Sequence, residues 1–337
     1  MNANKNLTKK SPAKDEIYFI GFDSGFGHVK SSKKQCFPAG VKLDSANSSI
    51  TGTSNTLELN GIKYAFGTEV EQMIEDKSQN ADMLIQLLAC IAEDAVKKGI
   101  GKDPGSNGMP RKIKAALGIG MPLKYYGNKK LREAYIKYFS EKFKNNVFRY
   151  AGEVFDITFV YVKCYPQAYA VYKVNKDKLT DQEYIMIDIG ANTIDSLKVV
   201  NGHPAEGSLF TFRKGVNHLL DEIRDELETE GIRLSRETLT DIIIHGRKIR
   251  HKRADFIQTV CISHADKFIS EVIGTLKQKY DLSLPVIWIG GGYQFMKDYI
   301  KKDADIFTVE EFDTFANADA YEVLVRANYA KDLKRPA

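Results

Sequence analysis

Cysteine is scarce in this chain, tryptophan occurs once and no long apolar run is present; each scarcity removes a class of explanation. The four cysteines, Cys36, Cys90, Cys164 and Cys261, are scattered, with no Cys-x-x-Cys. That spacing argues against a zinc site or a disulfide framework and fits a reducing cytosol. No stretch approaches the ~20 apolar residues of a membrane-spanning helix, so no membrane partner is expected. His28, His203, His218, His245 and His264 show no metal-ligand spacing. Met1 to Glu16 is polar and lysine-bearing, without the apolar segment of a secretory signal, and reads as a disordered tail. The net charge of +5 is too mild to imply nucleic-acid binding.

What remains is a soluble balance, 43% hydrophobic and 28% charged. At 337 residues the chain exceeds one ordinary core, so two lobes are expected. Asp82 to Lys98 has helical spacing with one broad apolar face. Lys129 to Phe143, Val216 to Glu228 and roughly Ala254 to Lys279 read as further helices, and Ala168 to Lys173 as the start of one. Leu239 to Ile244 fits a short helix or a strand. Strands are expected at Gln35 to Leu43, Lys63 to Gly67, Ile113 to Pro122, Val154 to Cys164 and Pro285 to Ile289, with a turn at Asn201-Gly202. Asp44 to Asn60, rich in Ser, Thr and Asn, reads as an inserted loop or small hairpin.

Two short signatures carry the chemistry. Asp23-Ser24-Gly25-Phe26-Gly27-His28-Val29-Lys30 follows the apolar run Ile17 to Ile20. Asp188-Ile189-Gly190-Ala191-Asn192-Thr193-Ile194-Asp195 follows Tyr184 to Ile187. Each reads as a buried strand, a tight turn and a returning strand. Glycine lets the backbone of such a turn come close to a ligand. Successive N–H groups there form a concave anion site. An aspartate beside phosphates suits Mg²⁺, a hard cation that keeps several waters. The two aspartates lie 188 − 23 = 165 positions apart, which an internal duplication around one nucleotide site explains.

With Tyr165-Pro166-Gln167, Gly290-Gly291-Gly292 and Phe315-Ala316-Asn317-Ala318 in order after them, these hairpins resemble the actin superfamily. More closely, the chain is similar to the ParM-like (StbA-type) plasmid-segregation actins. Gly120-Met121-Pro122-Leu123 and Asp241 to His245 point the same way. The resemblance implies an α/β, actin-like or ribonuclease H-like ATPase fold, with two similar lobes around a nucleotide cleft. It implies lobe I over 17–183, with an inserted subdomain at about 44–110. Lobe II then spans 184–316, and a C-terminal helix over 317–337 returns to lobe I.

It further implies Mg²⁺ and ATP as cofactors, with GTP left open. Asp23 and Asp188 would hold Mg²⁺ through water. Ser24, Gly25, Phe26, Gly27 and Lys30 would bind phosphates from one side. Gly190, Ala191, Asn192 and Thr193 would do so from the other. Lys30 reads either as a phosphate-reaching charge or as a surface lysine, and Thr193 either as a phosphate donor or as an ordinary strand residue. Gly290, Gly291 and Gly292 would lie against the adenosine. Gln167 would position the hydrolytic water and Asp188 would help order it; Asp195 would support the turn from behind. Phe26 departs from the small polar residue usual at the loop tip. Ala191 replaces a usual glycine, which is expected to narrow the loop's conformations.

The implied task is plasmid segregation by a homopolymeric filament, through a ParR-like DNA-binding adaptor and without direct DNA contact. The rival reading is a non-polymerising actin-fold ATPase or small-molecule kinase. The basic run Gly246 to Arg253 reads as a solvated helix face or filament contact.

Overall fold

The computed structural model describes residues 16–44, 55–68, 82–102, 108–141 and 146–334. The tail read at Met1 to Glu16, Glu16 excepted, lies outside the described residues, as does most of the polar segment after Asp44. In chain order the first half runs β1 (Tyr18–Ser24), β2 (His28–Ser31), β3 (Cys36–Pro38), β4 (Gly40–Leu43), β5 (Thr56–Leu59), β6 (Ile62–Thr68), α1 (Asp82–Lys98) and β7 (Arg111–Met121). Then come α2 (Leu123–Tyr126), α3 (Lys129–Glu141), β8 (Asn146–Tyr150), β9 (Glu153–Pro166) and α4 (Tyr169–Asn175). The second half runs β10 (Glu183–Ile189), β11 (Ile194–Val200), β12 (His203–Pro204), β13 (Phe210–Phe212), α5 (Val216–Thr229), α6 (Arg236–His245) and α7 (Ala254–Lys279). It closes with β14 (Val286–Ile289), a 3-10 turn at Gly291–Phe295, α8 (Lys297–Ile300), β15 (Thr308–Glu311) and α9 (Ala316–Leu333).

Two sheets result among the described residues. One has the order β3-β2-β1-β7-β9-β8-β5-β6-β4, the other β12-β11-β10-β14-β15, with β13 also on β11. The same plan occurs in both. An antiparallel hairpin, β1–β2 or β10–β11, is joined on its first strand by a parallel pair, β7–β9 or β14–β15. The 165-residue repeat of the motif is thus a repeat of topology. Strands β10 and β14 read as continuous apolar runs because they are central and covered on both faces.

Each sheet has its own core. α1 buries Leu87, Leu88 and Ile91 on the first; α5 and α7 bury Leu219, Ile223 and Val272 on the second. A third cluster joins them, with Tyr165 and Val171 from the first half, Met186 and Ile287 from the second, and Tyr321 and Val325 of α9. α9 packs this closely because three strand positions carry no side chain. A Cβ on Gly21 would overlap the Ala318 carbonyl and stand 2.7 Å from the Glu322 nitrogen. One on Gly118 would lie 2.5 Å from the Tyr321 carbonyl oxygen, and one on Gly120 would overlap the Tyr321 hydroxyl.

Two open readings resolve and one changes. Leu239 to Ile244 belongs to helix α6, whose start is capped by the Ser235 side chain accepting from Thr238 N–H. Residues 56–59 of the polar segment form strand β5, turned into β6 by Asn60 and Gly61, both at positive φ (54° and 76°). The basic run is no helix face. Gly246 ends α6 in the left-handed conformation at φ 60°, and residues 246–253 form an exposed connector into α7. The turn at Asn201-Gly202 has the expected positive φ at both residues.

Candidate functional site

The two hairpin turns meet face to face. A Cβ on Gly27 would lie 2.5 Å from the Ala191 methyl. Ala191 therefore fills the space that Gly27 leaves, and its φ is not among the positive values, so it brings no backbone strain. Ala191 thus makes a contact between the two hairpin turns. Asn192 and Ala191 are fixed from behind: Asn217 donates its side-chain amide to Asn192 Oδ1 at 2.9 Å and its N–H to the Ala191 carbonyl at 2.7 Å. Gly215 must lack a side chain, since a Cβ there would stand 2.5 Å from the Ala191 carbonyl. In the first turn, Ser24 shares a 3.4 Å hydrogen bond with the Tyr135 hydroxyl. Phe26 sits at the tip, partly exposed.

Asp23 and Asp188 close β1 and β10. Asp23 is paired across the hairpin with Lys30, whose ammonium stands 3.4 Å from where a Cβ on Gly25 would be. Lys30 thus turns over the first loop. Gln167 donates its side-chain amide to Asp23 Oδ1 at 3.4 Å, so the connecting segment and the first hairpin converge. Asp188 Oδ2 accepts from the Asn317 side chain at 2.8 Å. Burial, and next the negative charge of Asp23, push the Asp188 carboxyl up to about 7 from an ordinary 3.8; the Asn317 hydrogen bond and Lys30 pull the other way.

These two carboxylates fit Mg²⁺. They offer only hard oxygens, and a divalent cation relieves both the repulsion between them and the desolvation of Asp188. No group of three or more His, Cys, Asp or Glu side chains suited to a metal occurs among the described residues.

Thr193 has its hydroxyl engaged: it donates to Asp195 Oδ2 at 2.9 Å, and Thr211 donates to Asp195 Oδ1 at 2.6 Å. Asp195 therefore braces the second turn from β11. It also lines, with Gln167, Pro122, Phe210 and Thr211, a cavity of about 360 Å³ beyond the hairpins. The three glycines after β14 are bare for reasons within the protein as well. Gly290 stands at φ 92°, and a Cβ there would lie 2.6 Å from Asp188 Oδ1; one on Gly292 would lie 2.7 Å from the Ile189 carbonyl. Gly291 faces the Thr314 hydroxyl at 3.2 Å from its missing Cβ.

Sequence reasoning missed Asn317, Gly215 and Asn217. The only signals were an asparagine in the closing segment and a glycine before α5. It also missed the backbone behind Gln167. Ala168 has φ 59° and ψ −55°, and Tyr169 N–H donates to the Gln167 carbonyl at 2.6 Å. This is a γ-turn of the rare positive-φ form, costing on the order of 1–3 kcal/mol at a non-glycine residue.

A solved apo pSK41 ParM protein superposes with a TM-score of 0.67 at 17% identity, over 95% of this chain and 100% of that one. Ta0583, an archaeal actin homologue solved in complex with ADP, gives 0.66 at 15%, over 92% and 100%. The chain has the actin fold. The Alp12 filament structure gives 0.60 at 18% identity, over 94% and 100%. The family described as archaeal actin homologue MreB-like, C-terminal, matches residues 186–302 of this actin-fold chain. No curated protein matches its sequence.

On an actin fold whose turns touch, a wedge should act at once. If these turns bind a nucleotide, Gly27→Val is expected to push them apart and weaken its affinity at least tenfold. Equilibrium titration with ATP checks this, and unchanged affinity would contradict the placement of the site.

Proposed function

We propose that this actin-fold protein is a nucleotide-dependent, filament-forming ATPase that segregates plasmid DNA, with hydrolysis timing filament disassembly. The observation that carries the reading is the convergence of Asp23, Lys30, Asp188 and Gln167 around two glycine turns in contact. In this reading the N–H groups of Gly25, Phe26 and Gly27 cradle the phosphates against those of Gly190, Ala191 and Asn192. Lys30 adds a point charge. Asp23 and Asp188 would hold Mg²⁺ through water, and the cation would supply charge neutralisation at the phosphates. Gln167 orients the attacking water by its amide. A glutamine is a poor base, so turnover is slow and catalysis is positioning plus charge stabilisation. ATP is the nucleotide, with GTP a second candidate on a glycine-lined purine side. The closed form assembles with copies of itself. A ParR-like adaptor links the filament to plasmid DNA in the cytoplasm.

Phosphate release and pelleting, with ATP, GTP, ADP and no nucleotide, test this. Gln167→Ala is expected to cut phosphate release at least tenfold while nucleotide-triggered polymer still forms and persists longer. Phosphate release without polymer under any nucleotide would favour a monomeric ATPase or kinase and overturn the filament reading.

A further inference from the structure

Asn317, at the first turn of α9, is 5% exposed and uses both ends of its amide. The Ala168 N–H donates to its Oδ1 at 3.0 Å. An N–H can only donate, so the other end must be Nδ2, and it donates to Asp188 Oδ2 at 2.8 Å. One side chain thus touches the aspartate of the second hairpin and the strained residue after Gln167. The strain is local and specific. Ala168 sits at φ 59° with its neighbours closed into a γ-turn, a conformation that persists only when its surroundings hold it. The Asn317 oxygen is a visible part of that hold. Gln167 N–H is fixed separately, donating to the Met121 carbonyl at 3.0 Å. The movable part is therefore the turn itself and the Gln167 side chain that faces Asp23.

We propose that Asn317 is a positioning residue that couples Asp188 to the turn behind Gln167, so that a change at Asp188 is transmitted to Gln167. When Asp188 takes a new partner, Nδ2 is released or drawn with it. Because the amide is planar, Oδ1 must follow, and the hold on Ala168 loosens or tightens. The catalytic consequence rests on the nucleotidase reading above; the coupling itself does not.

Amide hydrogen exchange across residues 167–172 tests the coupling without any turnover. Asn317→Ala is expected to speed exchange there about tenfold, the size of one lost hydrogen bond in a buried turn. Asp188→Ala is expected to speed it at least threefold when Asn317 is present and to add nothing in Asn317→Ala. Additive effects of the two substitutions would overturn the proposal.

Where the wild type releases phosphate, Asn317→Ala should lower kcat about tenfold with KM within about twofold, and the loss should largely vanish in the Gln167→Ala background. A merely structural role would lower thermal stability and give additive losses. A wild type that releases no phosphate sinks the nucleotidase reading and leaves the exchange cycle to decide the coupling.

Discussion

Gly21→Ala lowers the melting temperature by roughly 5–10 °C, the largest stability loss expected of a methyl added at any glycine among the described residues. The added carbon has nowhere to go. It would overlap the Ala318 carbonyl and crowd the Glu322 nitrogen at 2.7 Å, and both are helix backbone, so no side-chain rotation relieves it. α9 must lift from β1. With it would move Tyr321, seated over Gly118 and Gly120, and the third core cluster that joins the sheets. Asn317 lies on the same helix, one turn before Tyr321, so nucleotide affinity should fall with stability. Gly127→Ala is the control: its φ is −62° and nothing lies within 4 Å of its would-be Cβ. That substitution should change stability by no more than ~0.5 kcal/mol. Thermal unfolding of both proteins checks the contrast, and equal melting temperatures would refute the account of the α9 seat.

Asp188→Asn should stabilise the metal-free protein at pH 8 and, in the proposed reading, abolish its stabilisation by Mg²⁺-nucleotide. The Asp188 carboxyl is raised from 3.8 to about 7 in the folded chain, first by burial and then by Asp23. A raised carboxyl holds its proton more tightly when folded. Metal-free stability should therefore be greatest in acid and decline as pH rises from about 4 through about 7. Above that window the ionised pair costs on the order of 2–4 kcal/mol. Asparagine removes the charge but keeps an oxygen that can accept from Asn317. Chemical unfolding at pH 5 and pH 8 in a chelator should show the wild type losing stability between the two, with Asp188→Asn losing clearly less. Parallel pH profiles would mean that Asp188 is not strained by its setting. Adding Mg²⁺-nucleotide should reverse the ranking, because only the wild type offers two carboxylates to the cation.

The parts of this molecule legible in its sequence are those encoded locally. A buried run ending in Asp-x-Gly specifies a strand and a turn within eight residues, so both hairpins were readable, as was helix α1 with its broad apolar face. Gln167 entered only through the resemblance, which places a glutamine after the proline of the connecting segment; its contact with Asp23 spans 144 positions and is not local. The actin fold followed from the order of these pieces. Asn317 was not readable as a site residue, because its importance comes from contacts 149 and 129 positions away. The bare positions Gly21, Gly118, Gly120 and Gly215 look like ordinary strand or cap glycines until the helix or loop that covers them is in place. Thr193 was half read: its hydroxyl is free in sequence but engaged by Asp195 in the fold. The helix-face reading of the basic run failed because charge density alone cannot distinguish a helix face from a connector. Gly246 was the stop signal.

The central claim is that the two touching turns form a single Mg²⁺-nucleotide site. Calorimetric titration of ATP into the wild type with Mg²⁺, repeated in chelator and with Asp188→Ala, tests it most directly. The account predicts one saturable site per chain, weakened at least tenfold by either change. No saturable binding of ATP or GTP, or binding indifferent to both Mg²⁺ and Asp188, would contradict it.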